Sequence, residues 1–256
     1  MNKRLADQIL PWVLPIALVI VWEGLARAGL ISTRVLPKAS DVLAAGIRLT
    51  LSGELFTHLK ASFIRAGTGF VIGAGIGFGL GLLNGVSENA NRFLDNTVQM
   101  VRNVPHLAMI PLVILWFGID EEAKLFLVAA GVMFPIYLNT YHGIRTVDAA
   151  LLEMGRSYGL SSWQLFSQII FPGALPSILV GLRFSLGIMW LTLIVAETIA
   201  TSSGIGYMAM NAREFLQTDV VVLGVVLYAL LGKLADSFAK LIERYTLQWH
   251  PAFQSN

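Results

Sequence analysis

The chain has 256 residues, of which 55% are hydrophobic and 13% charged, with a net charge of +2 and no cysteine. Soluble domains carry about 25% charged residues, so this composition, with a mean hydropathy of +0.69, excludes an ordinary water-soluble fold and fits an outer surface solvated by lipid. The small charge excess gives no footing for nucleic acid, and the absence of cysteine excludes disulfides, iron–sulfur clusters and thiol chemistry.

Six apolar stretches follow one another at about 11–28, 66–85, 98–117, 123–141, 178–200 and 220–238. Most approach the ~20 residues needed to cross ~30 Å of hydrocarbon as a helix. No apolar–polar alternation of period two is present, so a β-barrel is not expected. The sequence predicts an all-α, polytopic membrane protein of about six transmembrane helices. Residues 1–60 form an N-terminal transmembrane helix and an interfacial segment, and residues 61–256 form the core.

Lys3 and Arg4 precede the first stretch, and Ala26-Arg27-Ala28 has the form of a signal-peptidase site. A cleaved signal is therefore the rival reading of that helix, although the membrane core that follows does not require one. Residues 31–65 are partly amphipathic and carry much of the basic charge. In the second stretch Gly69, Gly73, Gly77, Gly81 and Gly85 recur every fourth residue. Such a bare stripe lets another helix approach closely, either inside one bundle, the preferred reading, or between subunits. Arg102, Asn103 and Pro105 interrupt the third stretch, and Pro105, Pro111 and Pro135 are expected to bend the third and fourth helices. With the N-terminus inside, ten of the 18 basic residues fall on the cytoplasmic side, a weak bias in the expected direction.

Glu197, near the outer end of the fifth stretch, is the acid within a membrane helix that this reading singles out. It is either a pathway or gate residue, or an interfacial carboxylate bonded near residues 201–206. Arg183, near the inner end of that stretch, is expected to snorkel. No G-x-x-x-x-G-K-[ST], H-E-x-x-H or G-x-S-x-G occurs, so no nucleotide, zinc or serine-hydrolase site is implied. His58, His106, His142 and His250 lack ligand spacing, and no catalytic or metal residue is assigned.

Between the fourth and fifth stretches, residues 142–176 form a long cytoplasmic segment. Two short helices are expected. The first stops at Gly159; the second is capped by Ser161 or Ser162 and ends before Pro172. Leu152, Met154, Leu160, Trp163, Phe166 and Ile169 give it apolar surface, which either awaits a partner or packs on the chain's own helices.

The order Glu153-x-Gly155-x3-Gly159-x9-Ile169-x-Phe171-Pro172 resembles the E-A-A-x3-G-x9-I-x-L-P motif of permease subunits in binding-protein-dependent type I ABC importers. Met154 and Gly155 replace the two alanines, and Phe171 replaces leucine. Further blocks, at 99–106, 110–120, 134–137 and 210–215, are similar to the aliphatic sulfonate branch, with taurine and nitrate permeases as runners-up. The resemblance implies that Glu153, Met154, Gly155, Gly159, Ile169, Phe171 and Pro172 belong to a coupling loop docking on an ATPase subunit. It further implies a homodimer, two ATP-binding cassette subunits and a periplasmic or lipid-anchored binding protein, in the inner (plasma) membrane. ATP and Mg would be used by the partner, and this chain would carry no cofactor. A stand-alone secondary transporter or channel would show inverted repeats and several intramembrane charges, and an intramembrane enzyme would show a catalytic cluster; neither pattern is present.

Overall fold

The computed structural model describes residues 3–199 and 201–249. Ala200, the last residue of the fifth apolar stretch, and His250 lie outside them. Eleven α-helices are present among the described residues, with no strand. They are α1 (Lys3–Arg27), α2 (Ala39–Leu51), α3 (Glu54–Val86), α4 (Glu88–Arg102), α5 (Ile110–Phe117) and α6 (Glu121–Arg145). There follow α7 (Ala149–Ser157), α8 (Ser162–Leu165), α9 (Phe171–Glu197), α10 (Ile205–Glu214) and α11 (Thr218–Thr246). Five continuous helices are long and apolar enough to cross a membrane. A sixth span exists if α4 and the segment His106–Phe117 count as one, bent by 75°. The bend falls where Arg102, Asn103 and Pro105 were expected to break the third span. Pro105 lacks the N–H to continue a helix, and a 3-10 turn, His106–Met109, restarts it.

The chain divides into two compact units. The smaller comprises residues 1–61 and 202–228, the larger residues 62–201 and 229–256. In the smaller unit, Trp22 Nε1 donates to the Pro37 carbonyl at 2.9 Å. Glu23 accepts from both the amide and the hydroxyl of Ser40. These bonds fix the turn between α1 and the amphipathic α2, which buries Val42, Ala45 and Leu49. His58 is buried; its Nδ1 accepts from the Gly204 amide just before α10 at 3.1 Å.

The larger unit is built on the glycine stripe. A Cβ added to Gly69, Gly73, Gly77, Gly81 or Gly85 would strike, in order, Val128, Ala129, Met133, Thr140 and Ile144, all of α6. Gly67, Gly75 and Gly79 face open space. The stripe thus packs inside one bundle: α3 lies on the α6 backbone, close enough for Cα–H to approach carbonyl oxygen. Asn84 Nδ2 donates to the Tyr137 hydroxyl at 3.0 Å, and Arg145 donates to the Asn84 carbonyl. On its other side α6 meets α9. Gly143 and Gly181 admit the opposing helix, and the hydroxyls of Ser177 and Ser185 donate to the carbonyls of Asn139 and Val132. These carbonyl contacts hold helices together where lipid offers no hydrophobic drive between them.

Candidate functional site: the loop after α6 and the two ends of α9

The loop after α6 is a preformed unit with every turn capped. Asp148 accepts from the Ala150 amide and starts α7. Gly159, at φ +76°, ends it: the Leu160 amide returns to the Gly155 carbonyl and the Gly159 amide to Arg156, a left-handed C-terminal cap. Ser161 and Gln164 then form a reciprocal capping box that starts α8.

One expectation is corrected here. The second helix of the loop does not end before Pro172. It runs through a π-turn, Phe166–Ile170, directly into α9. In that wider turn the Phe171 amide bonds back to Phe166, and Pro172 falls in the first turn of α9, where its missing N–H is tolerated. Residues 162–197 form one 36-residue helix as a result.

Among the seven motif residues, Gly155 and Ile169 come together. Gly155 is buried, and a Cβ on it would lie 2.7 Å from the Ile169 δ-methyl. Phe171 stacks at a tilt against Phe166, ring centroids 6.0 Å apart. Glu153 and Met154 point outward, and Leu151, Tyr158 and Trp163 with them; Tyr158 is 82% and Trp163 72% exposed. The loop therefore hides Gly155 and shows Leu151, Met154, Tyr158 and Trp163. Alanine at Gly159 would meet no neighbour, so its cost is backbone strain alone, about 1–2 kcal/mol for a left-handed residue. We expect Gly159→Ala to speed chymotryptic cleavage at Tyr158, and Gly159→Asn to restore protection.

At the far end of α9, Glu197 is 1% exposed. Ser62 Oγ lies 2.8 Å from both of its oxygens, and Arg65 Nη1 donates at 2.9 Å. Arg65 itself is buried and grips Glu121 with Nε at 2.6 Å and Nη2 at 2.7 Å, a bidentate pairing. Lys124, also buried, donates to the carbonyls of Ile119 and Asp120 and to Glu121. Alternating charges thus tie α3, the start of α6 and the end of α9 at the side remote from the loop. Glu197 and Arg65 are 132 residues apart, and the ion pair was not anticipated. Five residues before Glu197 on α9, buried Thr192 meets His106 of the bend at 3.1 Å. Gly131 makes room for both; a Cβ there would lie 2.8 Å from Thr192 Oγ1 and 3.1 Å from His106 Nε2. Their pairing was not legible in the sequence, because the contact depends on the bend.

Apolar spans, a capped loop outside them and a helix joining that loop to a buried charge cluster define an integral membrane protein. The model of the family described as "Binding-protein-dependent transport system inner membrane component" matches residues 72–247, and the chain belongs to that family. It is 61% identical over 251 residues to the putative aliphatic sulfonates transport permease protein SsuC of Escherichia coli, covering 98% of this chain and 95% of that one. It is 47% identical to the Bacillus subtilis protein of the same description, over 94% and 88%. The taurine transport system permease protein TauC of Escherichia coli is 33% identical over 99% and 98%. In fold, the chain is similar to a subunit of an amino acid ABC transporter (TM-score 0.59, 17% identity, 79% of this chain and 96% of that one). It is also similar to a subunit of the inward-facing MetNI methionine ABC transporter (0.54, 21%, 77% and 98%).

Proposed function

We propose that this chain carries aliphatic sulfonates across the inner membrane as the permease subunit of an ATP-driven importer. The observation behind the substrate is the 61% identity to a sulfonate permease along almost the whole chain, against 33% to the taurine relative. In this reading two copies pair with two ATPase subunits and an external binding protein, and ATP and Mg are held by the ATPases. ATP binding closes the ATPase dimer, the loop moves with it, and the membrane halves switch between inward- and outward-open states. This is a two-state equilibrium biased by ligand binding to one state.

The exposed Glu153, Met154 and their aromatic neighbours supply the docking face. Gly155, Gly159, Ile169, Phe171 and Pro172 give that face its shape. Glu197 is a gate-side residue: its carboxylate belongs to the tie at the outer ends of α3, α6 and α9, so opening there must either carry the tie along or break it.

The test is co-purification from membranes with uptake of labelled alkanesulfonate. The unaltered chain should recover an ATPase, and deletion should abolish uptake. Glu153→Arg should insert normally yet lose the ATPase and at least tenfold of uptake. Normal recovery and uptake in that variant would remove Glu153 from the docking face. Uptake of taurine in place of alkanesulfonates would move the substrate and keep the class.

A further inference from the structure

Three cations share one carboxylate on the surface of the larger unit. Asp236 of α11 accepts from Arg183 Nε of α9 at 2.6 Å, and Lys240 and Lys233 stand 3.0 and 3.8 Å from its other oxygen. The cluster keeps two positive charges in excess, and all three cationic side chains are exposed, by 41%, 46% and 61% for Arg183, Lys240 and Lys233. α11 is apolar from Val220 to Leu231 and carries its charges from Lys233 onward, so the cluster lies towards the C-terminal end of that helix.

A groove of about 450 Å³ begins beside it, lined by α3, α9 and α11 through Phe63, Gly67, Phe70, Leu186, Leu234 and Phe238, among others. The lining is almost wholly apolar. Leu186 lies one helical turn from Arg183, and Ala235, also in the wall, adjoins Asp236, so charge and groove are continuous. The groove runs away from the charges to Phe63 and Trp190, which meet edge to face at 5.2 Å. Along α3 it extends from Phe63 to Val71, about 12 Å at 1.5 Å per residue, long enough to hold much of an acyl chain.

We propose that this is a binding site for an anionic phospholipid of the cytoplasmic leaflet, with the phosphate on Arg183 and Lys240 and an acyl chain in the groove. Charge complementarity selects the occupant. A zwitterionic lipid would bring a cation to a cluster already cationic, whereas a phosphatidylglycerol headgroup brings a single uncompensated negative charge that offsets half of the excess, and basic clusters between membrane helices at the inner face take such headgroups. The leaflet rests on the orientation used above, with the loop in the cytoplasm; the site itself does not.

The test is native mass spectrometry of the full chain extracted from vesicles of equimolar phosphatidylglycerol and phosphatidylcholine. The chain should retain phosphatidylglycerol preferentially. Arg183→Gln and Lys240→Gln should each lower that preference about fivefold, the weight of one basic residue near a membrane surface. Gly67→Phe should displace the lipid while leaving both cations in place, since a side chain there starts in open space. Equal retention of the two lipids, or unchanged preference in all three variants, would overturn the site. So would Gly67→Cys if two copies cross-linked through it, because the groove would then be covered by a second chain; the absence of native cysteine makes that arm clean. The readout is lipid carried by the purified chain, so its failure is separable from a failure to recover an ATPase or to take up sulfonate.

Discussion

Alanine at Gly73 or Gly77 is expected to strip the protein of much of its stability, while alanine at Gly75 or Gly79, two residues along the same helix, is expected to be harmless. A Cβ on Gly73 overlaps the carbonyl group of Ala129, and one on Gly77 overlaps that of Met133. Backbone atoms cannot swing aside as the end of a side chain can, so α3 and α6 must separate along their shared face. Overpacking against a fixed neighbour costs about 1–3 kcal/mol and occasionally more; these two sites belong at the upper end. Gly75 and Gly79 have no neighbour within 4 Å, and alanine there gains up to about 1 kcal/mol of helix propensity. Thermal unfolding of the four variants in detergent checks this. Equal losses at all four would show that the helix itself, and not its contact with α6, requires glycine.

Arg65→Met should produce the largest loss from a single charged side chain. It takes from Glu197 the guanidinium that neutralises it in a site 1% exposed, and it also releases Glu121. Removing one partner of a buried ion pair costs about 3–5 kcal/mol. Glu197→Gln keeps an acceptor for Ser62 and Arg65 and should cost less. The double variant Arg65→Met with Glu197→Met should recover much of the loss, because a buried pair exchanged for apolar side chains is often near neutral. A double-mutant cycle on unfolding free energies measures the coupling. An additive outcome would mean that the two charges do not sense each other.

The spans, their number and the break at 102–105 were legible in the sequence because lipid imposes a length and an apolar composition on each, and because Pro105 acts locally. The stop at Gly159 and the cap at Ser161 were legible for the same reason: each is a property of three or four adjacent residues. The fate of Pro172 was not. A proline and the residue before it ordinarily mark a helix end, and a π-turn that carries the helix through leaves no compositional trace. α10 (Ile205–Glu214) was also missed, being too short and too polar for a span.

The site divides along the same line. The outward display of Glu153 and Met154 follows from local periodicity and the motif. The pairing of Glu197 with Arg65 does not, because it joins residues in different helices. Arg65 reads in sequence as the last charge of an interfacial segment. Only the register of α3 against α9 turns it inward. Arg183, expected simply to reach for the membrane surface, has a specific partner in Asp236 for a similar reason.

The uninterrupted passage from α8 through the π-turn into α9 bears on how work could be transmitted. A 36-residue helix is about 54 Å long, and one end carries the exposed loop while the other carries Glu197. A flexible joint at Pro172 would have dissipated a push delivered at the loop as local bending. A continuous rod carries it instead as a lever does: a tilt of about 5° about the loop end displaces the opposite end by about 5 Å. That distance exceeds the reach of the hydrogen bonds around Glu197, so a small angular stroke on one side of the membrane is enough to remake contacts on the other.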